Sequence, residues 1–353
     1  MRIMGRPRAL VAVVAGALLL AGCGTGPSQV GSAAIVGDTS ISIDQVQNLI
    51  DKAVREHPYA RKLASEHKLD LLGRAFVGQL VLHELLLKAA QQEGISPNYG
   101  QIDAQLAKDP LTGPVPANSA NEAQAVSQVA TRARDHREEL TDANLAQALA
   151  DKTMPNLAVT FDYTSIGSLP TADGQEPPQG PAAQKAAYDL GRQFAADPAA
   201  ATKRIGGDNQ YEQSLRQQAA SQGQNVDSIP PLTGLGVVLP AAQAGVLAAT
   251  PLFGSAGGTV AVFPYPNQQG TWFVAVVRQR ADDKPVATEQ QPQSLDPATK
   301  GAIGMRQLQP YFDRLGVRVN PRYGVWDFVG LTVVPNQDAA QGLVLSSGAP
   351  QQQ

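Results

Sequence analysis

The segment from Lys68 to Glu93 constrains the fold most, because its sequence predicts one long helix that is apolar around much of its circumference. The apolar positions are Leu69, Leu72, Phe76, Leu80, Leu82, Leu85, Leu86 and Leu87. A helix this apolar must be buried on several sides, whereas a surface helix carries a single apolar stripe. Gly94 follows directly, as a helix C-cap does. The sequence therefore predicts a core helix that neighbouring elements cover.

A short β pattern and several amphipathic stretches flank this helix. Residues 33–42 form a β pattern interrupted at Gly37-Asp38, and Ser42 with Gln45 has capping-box spacing at a helix start. The helical face that follows ends at Pro58. Its apolar positions are Val46, Leu49, Ile50, Ala53 and Val54. Further predicted helices cover residues 99–108, 122–140 and 143–154.

The N-terminus has the three parts of a signal peptide. Three arginines within the first eight residues precede an uncharged apolar run over residues 9–20, which ends in small residues. This run is too short for a permanent transmembrane helix, which needs roughly 20 residues. Leu20-Ala21-Gly22-Cys23 resembles the lipobox of bacterial lipoproteins. We therefore expect residues 1–22 to be removed and Cys23 to be acylated.

The cysteine count favours lipidation over a plain secretory signal. Cys23 is the only cysteine, so no internal disulfide can form, and a free thiol in an oxidising compartment is a liability. Acyl chains contribute roughly 0.8 kcal/mol per buried CH₂, and two or more chains hold a protein at a membrane. Residues 23–32 then form the lipidated cysteine and its flexible tether. The expected location is the outer face of the bacterial cell membrane.

Charge and motif content exclude several functions. The chain has 28 basic and 31 acidic residues, and loss of the three N-terminal arginines leaves 25 against 31, or a net charge of −6. This balance argues against a nucleic-acid partner. The sequence lacks HExxH and CxxC metal motifs, phosphate-binding glycine loops and GxSxG. We therefore expect no metal, no cofactor and no catalytic residue.

The order of features in the first half resembles the N-terminal domain of SurA-like and PrsA-like extracytoplasmic chaperones. The shared features are the turn Val36-Gly37-Asp38, the pattern Ser-x-x-x-Val-x-x-Leu-Ile from Ser42, the long Leu-rich helix, and "GISPNYGQIDAQLA" from Gly94. The resemblance implies a mainly helical domain over residues 33–156. The alternative is an unrelated helical lipoprotein domain.

The second half changes character and resembles a parvulin-type prolyl isomerase over residues 157–283. Its order is strand, helix, irregular stretch, strand, short helix and two strands, and "GTWFVAVVRQR" is similar to a closing parvulin strand. The predicted strands are 157–163, 234–239, 260–263 and 272–278, the helices are 182–196 and 240–249, and residues 170–181 and 197–233 are irregular. The resemblance implies an α/β domain inserted into the helical one.

This region departs from parvulins where their active site lies. Parvulin active sites carry paired histidines, and none of the four histidines falls in it: His57, His67, His83 and His136. The closing-strand histidine is replaced by Trp272, and the pocket segment 236–242 has neither Met nor Phe. These losses imply a degenerate, inactive domain. An active isomerase would need a pocket built from residues such as Phe253, Phe263 and Trp272. These three residues and Tyr163 are the candidate client-binding residues.

The C-terminal part predicts a return to the helical domain. Residues 297–315 have a helical pattern with Ile303, Leu308, Phe312 and Leu315 as apolar positions, and residues 317–320 alternate like a strand. By analogy with SurA-like chains, we expect residues 284–330 to complete the helical domain, with 317–319 pairing with the hairpin 33–41. Tyr323 and Trp326 are expected to be core anchors rather than binding residues. Residues 331–353 are expected to be a disordered tail.

The remaining polar clusters have ordinary interpretations. No two histidines have the i, i+4 spacing that places two metal ligands on one helix face. The charged run over residues 132–139 is mixed in sign and predicts a solvated helix face.

The sequence as a whole predicts an α+β protein in which a SurA-like helical domain carries an inserted parvulin-like domain. The expected function is that of a membrane-anchored extracytoplasmic chaperone that binds unfolded or newly exported polypeptides. An active peptidyl-prolyl isomerase and an envelope scaffold that binds one folded partner remain the alternatives.

Overall fold

The computed structural model describes residues 30–115, 121–168, 176–226, 231–266, 268–283 and 294–347. The expected signal peptide, Cys23 and most of the expected tether lie outside these residues. The protein is a mixed α/β structure in which every described strand pair is antiparallel, as the α+β prediction requires. No helix in the described part of the chain combines the length and the apolar character needed to cross a membrane.

The elements follow one another as helices, a sheet region and a C-terminal return. The helices are α1 (Ile43–Glu56), α2 (Pro58–Ser65), α3 (Leu69–Glu93), α4 (Tyr99–Leu106), α5 (Glu122–Ala133), α6 (His136–Thr153), α7 (Gly180–Ala196), α8 (Pro198–Ser221), α9 (Pro251–Gly254), α10 (Pro297–Arg306) and α11 (Gln309–Leu315). The strands are β1 (Ser32–Val36), β2 (Thr39–Ser42), β3 (Ala158–Ile166), β4 (Thr233–Pro240), β5 (Thr259–Pro264), β6 (Trp272–Ala281), β7 (Arg318–Val319), β8 (Val325–Asp327), β9 (Thr332–Val334) and β10 (Leu343–Ser346).

The local signals around α1 and α3 produce the expected ends. The Ser42 hydroxyl accepts a hydrogen bond from the Gln45 backbone N–H at 3.0 Å, which caps α1. Gly94 ends α3 in the left-handed conformation, at φ 63°. Because α1, α5, α6 and β1 all pack against α3, that helix is buried on several sides, as its composition predicts.

The C-terminal return joins the N-terminal elements into one sheet and one core. Strands β2, β1 and β7 form a three-stranded sheet in which Ala34 pairs with Val319. The predicted pairing of this segment with the hairpin is therefore confirmed. Trp326 is buried, and its ring lies 5.1 Å from that of Phe312 in the same core as α3. Both Trp326 and Tyr323 pack in this core, as expected of anchors.

A five-stranded sheet with the order β10-β5-β6-β3-β4 forms the other half of the molecule. One face is covered by α7 and α8, where Phe194 and Ile205 pack on Val260 and Val274. The opposite face is covered by residues 241–249 and α9, and by Ile303 from α10. The sheet therefore lies between two apolar layers, and α10 connects one of them to the helical core.

Two predicted helices are each divided in the structure. The expected helix 122–140 is α5 followed by the start of α6, because Asp135 caps α6 by accepting from the backbone N–H groups of Arg137 and Glu138. The expected helix 297–315 is divided into α10 and α11 at Gln307-Leu308. Apolar periodicity continues across both breaks, so it did not reveal them.

The stretch expected to be irregular before β4 contains the 24-residue helix α8. Its buried residues are few, because polar groups hold much of its inner face. Asp208 accepts from the Thr164 hydroxyl at 3.0 Å, and Glu212 accepts from the Thr233 hydroxyl at 2.7 Å. A helix attached by hydrogen bonds leaves no apolar stripe in the sequence, which is why the prediction was wrong.

The prediction of a disordered tail over residues 331–353 is wrong for its described part. Residues 332–334 form β9, and β10 pairs with β5, with Leu345 opposite Val260. Gly342 makes this possible because a Cβ there would meet the backbone oxygen of Val262. Residues 348–353 lie outside the described part of the chain.

Truncation of Leu345 tests the order of the tail. Leu345 packs against the α7 side of the sheet, so Leu345→Ala should lower the free energy of unfolding by about 1–2 kcal/mol, less than for a fully buried leucine. Ser346→Ala, at the exposed neighbouring position, should change it by less than about 0.5 kcal/mol. Urea unfolding followed by circular dichroism measures both. Equal midpoints for the two variants would show that the strand adds nothing to the folded state.

Candidate functional site

A cleft of about 860 Å³, here called the helical cleft, lies in the helical half. It lies among α3, α4, α6 and α10, with further lining from the end of α5 and from residues that follow α4. Its apolar lining is formed by Leu82, Pro110, Ala143, Ala146, Pro297, Ala298 and Met305. This volume is in the range of natural ligand pockets.

A second cleft of about 640 Å³, here called the tail cleft, lies beside the first. Its walls are α3, α5, α10 and residues 330–341, which include β9. Its apolar lining includes Leu71, Val126, Leu331, Val333 and Val334. The C-terminal residues that were expected to be disordered therefore form one wall of this cleft.

Three residues line both clefts and are here called the ridge: Gln79, Leu82 and Met305. Gln79 and Leu82 are three apart on α3, and Met305 comes from α10. Methionine is unbranched and flexible, so it adapts to irregular apolar surfaces. A polypeptide that occupies both clefts has to cross this ridge.

On α10, the helical cleft begins beside a close contact with α6. At Gly304 the helices touch, since a Cβ there would meet the backbone oxygen of Ala146. One turn earlier, at Gly301, a Cβ would meet nothing within 4 Å. Small residues on the facing helix, such as Ala143, leave the space between them open.

A buried ionic cluster forms the polar wall of the helical cleft. The side chain of Arg134 is 3% exposed and contacts Glu139, Asp142 at 3.2 Å and Glu138 at 3.8 Å. His83 Nδ1 lies 2.7 Å from Asp142. The charged run was expected to be a solvated helix face, and this expectation is wrong for Arg134 and Glu139. The break before α6 places Arg134 at the end of α5, where it is buried.

Burial and neighbouring charges raise the pKa values of two groups in this wall, Glu139 and His83. Burial, opposed by the charge of Arg134, raises the pKa of Glu139 from 4.5 to about 7. Burial alone would lower the pKa of His83, but the hydrogen bond and charge of Asp142 outweigh it and raise the pKa. The Arg134 guanidinium is shared among three carboxylates, so part of their negative charge stays uncompensated. Protonation of Glu139 or His83 reduces this excess charge and stabilises the folded state.

The raised pKa of Glu139 predicts a pH-dependent stability. The folded state binds the proton of the Glu139 carboxyl more tightly than the unfolded state does. The stability that this proton adds is therefore complete below the unfolded pKa of 4.5 and is lost as the pH rises to about 7. Between about pH 5 and about pH 7.5, the unmodified protein should therefore lose about 2 kcal/mol more unfolding free energy than Glu139→Gln does. Glu138→Gln is the control, because Glu138 is 55% exposed. Urea unfolding at both pH values measures this, and parallel pH profiles for all three proteins would contradict it.

The other histidines are dispersed over the helical half. His57 precedes α2, His67 lies in a turn at φ 57°, and His136 Nδ1 contacts Asp109 at 2.8 Å. Burial lowers the pKa of His57. Within the ranges that the structure describes, no three His, Cys, Asp or Glu side chains are grouped as metal ligands.

The four candidate client-binding residues do not form one open pocket. Phe253 and Phe263 are at most 1% exposed and pack in the core beneath the sheet, so they present almost no surface to a client. Tyr163 stacks on Phe273 at 4.6 Å, and its hydroxyl donates to the Pro231 carbonyl. These three predicted residues are thus internal supports of the sheet region.

Trp272 lies on the other face of the sheet. Its ring meets that of Tyr188 edge to face at 5.4 Å, and it packs with the layer under α7. It keeps part of its surface exposed. Trp272 was predicted to share a pocket with Phe253 and Phe263, but the sheet lies between it and them.

The clefts were not predictable from the sequence, although some of their residues carry a signal. Ala298 and Gly301 lie in a helix of small residues, "PATKGAIG", about 150 positions after the small residues of α6 that they face. Small residues on two facing helices are compatible with close packing or with an open space between the helices. The angle and distance at which the helices cross decide which of the two occurs, and the sequence does not give them.

No family model, no curated protein and no solved structure matches this chain.

Proposed function

We propose that this chain is a lipid-anchored extracytoplasmic chaperone that binds unfolded or newly exported polypeptides in the helical and tail clefts. The observation that carries the proposal is the pair of adjoining, largely apolar clefts that share the ridge of Gln79, Leu82 and Met305. Exposed apolar segments distinguish unfolded chains from folded ones. Two clefts in series accept a longer segment than a single closed pocket does.

The chemistry of the clefts supports weak, sequence-tolerant binding. The lining of the helical cleft combines small alanine side chains with the flexible Met305, which together accept different client residues without a specific shape. The polar wall around Arg134 lies at one side of the helical cleft. No covalent step is part of this function.

The proposed architecture is a SurA/PrsA-like helical domain completed by the C-terminal segment, with an inserted, degenerate parvulin-like domain. The pairing of β7 with β1 supports the completion. The succession of β3, two helices, β4, short turns, β5 and β6 in one sheet supports the inserted domain. His83 and His136 both contact carboxylates in the helical half, far along the chain from this sheet.

The proposed anchor is a lipid on Cys23, which places the clefts near the membrane surface where exported chains emerge. The support is the sequence Leu20-Ala21-Gly22-Cys23 after a short apolar run. Mass spectrometry of the protein purified from membranes tests it. A mature N-terminus at acylated Cys23 is expected, and an uncleaved or unmodified Cys23 would contradict it.

Client binding is tested by fluorescence anisotropy with the protein reconstituted in lipid nanodiscs. The probe is a labelled protein that is kept unfolded by reduction and alkylation, and its native, disulfide-bonded form is the control. We expect micromolar binding of the unfolded form and none of the folded form. Selective binding of one folded envelope protein, with indifference to the unfolded probe, would favour a scaffold instead. Acceleration of proline isomerisation in a proline-containing peptide would overturn the proposal of an inactive parvulin-like domain.

A further inference from the structure

Strand β4 forms one edge of the five-stranded sheet, because it pairs only with β3. In the part of the chain that the structure describes, no strand lies on its other side, here called the open edge. Edge strands are usually protected against pairing with other chains by charged residues, proline or bulges. Strand β4 contains no charged residue, and two of its apolar side chains, Leu235 and Val238, are 44% and 62% exposed. The open edge is therefore a surface at which another extended chain can pair.

The direction of the backbone groups in β4 follows from its register with β3. The Ala241 N–H donates to the Leu157 carbonyl at 2.8 Å, so these two residues form a hydrogen-bonded pair. Bonded and non-bonded pairs alternate along antiparallel strands, and the register is continuous from there to the pair of Val238 with Thr160, three positions away. Val238 is therefore at a non-bonded position, where N–H and C=O both point away from the partner strand. Among the described residues, no group outside the sheet makes a hydrogen bond with the Val238 backbone.

The open edge can pair over a short stretch only. At one end, a β-bulge places Leu235 and Gly236 opposite the single residue Asp162, and the Gly236 N–H donates to the Asp162 carboxylate at 2.7 Å. At the other end, Pro240 has no N–H to donate. Val238 lies between these two ends and offers both a donor and an acceptor.

We infer that an extended segment of an unfolded polypeptide pairs with the open edge of β4 and makes hydrogen bonds with both the N–H and the C=O of Val238. This inference rests on the proposed function and adds a client contact on the sheet half, outside the two clefts. Almost every residue of an unfolded chain carries a free N–H and a free C=O, whereas a folded protein has paired most of its own. Pairing at a sheet edge therefore selects unfolded chains without selecting a sequence.

A second copy of this chain is the alternative occupant, and the size of the open edge argues against it. Stable protein interfaces bury about 1,200 Å² or more. The stretch between the bulge and Pro240 is only residues 237–239, which is too little for a stable dimer. An unfolded polypeptide does not need this area, because it is held in the clefts at the same time and its further segments are kept at a high local concentration.

Hydrogen exchange followed by mass spectrometry tests the pairing. The protein in nanodiscs is compared with and without the reduced and alkylated protein probe, and the native form of the probe is the control. We expect the unfolded probe to lower deuterium uptake in the segment 233–240 by about one amide, that of Val238, because the amides of Val237 and Leu239 are already bonded to β3. The native probe should leave the uptake unchanged.

Two substitutions at Val238 measure how much the pairing contributes to affinity. Val238→Pro removes the outward N–H but no bond to β3, and Val238→Thr is the matched control, since it keeps the shape and the N–H. In the anisotropy titration with the unfolded probe, Val238→Pro should weaken binding about 3- to 10-fold, and Val238→Thr should change it by less than about twofold. Circular dichroism checks the fold of both variants. If Val238→Pro does not fold, the deuterium uptake of the unmodified protein still decides.

The outcomes separate this inference from the proposed function. Binding of the unfolded probe without protection of the segment 233–240 overturns the inference and leaves client binding in the clefts standing, as do equal affinities of folded Val238→Pro and Val238→Thr. Protection that grows with protein concentration in the absence of the probe would show that a second copy occupies the edge, and it also overturns the inference. No binding of the unfolded probe overturns the proposed function, and the inference with it.

Discussion

Arg306→Met should lower the free energy of unfolding by about 3–6 kcal/mol, the largest effect expected of a single side chain in this protein. Arg306 is 4% exposed and donates to three backbone carbonyls: those of Ala249 at 2.9 Å, Phe328 at 2.6 Å and Val329 at 2.7 Å. Methionine has a similar length but no donor. The substitution therefore leaves three carbonyls without their partner in the interior.

The carbonyls that Arg306 joins belong to different parts of the fold. Ala249 precedes α9 on the sheet half, whereas Phe328 and Val329 lie between β8 and β9 in the C-terminal return. Burial lowers the pKa of Arg306 to about 10, opposed by the charge of Asp327, so the group stays cationic at neutral pH. The side chain thus links the sheet region to the wall of the tail cleft.

Urea unfolding followed by circular dichroism measures the effect, with Arg322→Met as the matched control. Arg322 is exposed, so its substitution should change the unfolding free energy by less than about 0.5 kcal/mol. Arg306→Lys should recover only part of the loss, because an ammonium cannot reproduce the planar fork that reaches several carbonyls. A loss below about 1 kcal/mol for Arg306→Met would show that water replaces the guanidinium.

Gly304→Ala should lower the free energy of unfolding by about 2–4 kcal/mol, although alanine is the better helix former. The added Cβ would meet the oxygen and carbon of the Ala146 backbone in α6. Backbone atoms in a helix cannot move aside as a flexible side chain does, so α10 and α6 must separate. This separation also disturbs Ile303, which is fully buried in the core beneath the sheet.

Gly301→Ala is the matched control on the same helix. Its Cβ would meet nothing within 4 Å, so the higher helix propensity of alanine should raise stability by about 0.5–1 kcal/mol. The two variants carry the same chemical change and are expected to act in opposite directions. Thermal and urea unfolding measure both, and equal shifts for Gly304 and Gly301 would contradict the close packing of α10 on α6.

The parts of the fold that were predictable have local signals. The ends of α1 and α3 follow from the Ser42 hydroxyl and from Gly94, and the burial of α3 follows from its apolar circumference. The pairing of Val317–Val319 with the hairpin was expected only by analogy with a family, and the observed partners are Ala34 and Ile35. Residues that act within one turn of their own helix are readable without knowing the fold.

The parts that were not predictable depend on distant partners. Helix α8 is attached through Asp208 and Glu212, whose partners on β3 and β4 lie 44 and 21 positions away. The strand at Leu343–Ser346 is short, and it is ordered by pairing with the edge of β5 and by packing against α7. A polar segment is predicted to be a loop or a disordered tail unless the element that it packs against is known.

The same limit applies to the site. Charge alternation predicts a solvated face for Arg134 and Glu139, but the break between α5 and α6 buries them. The helical cleft needs open space beside Gly301, one turn from the close contact at Gly304, and residue types do not encode this difference by themselves. The predicted aromatic pocket was wrong because successive residues of a strand point to opposite faces: Phe273 pairs with Phe263 and shares its face, so the neighbouring Trp272 lies on the other face.

The most direct test of client binding in the helical cleft compares two variants, Gly301→Phe and Gly207→Phe, in the anisotropy titration with the unfolded probe. Both glycines are helical and open within 4 Å, but Gly301 lines the helical cleft, whereas Gly207 is exposed on α8. Because its side chain fills the cleft, Gly301→Phe should weaken binding about tenfold or more, a cost of about 1.4 kcal/mol, while Gly207→Phe should bind like the unmodified protein. Equal affinity of both variants and the unmodified protein, with each variant folded, would contradict it.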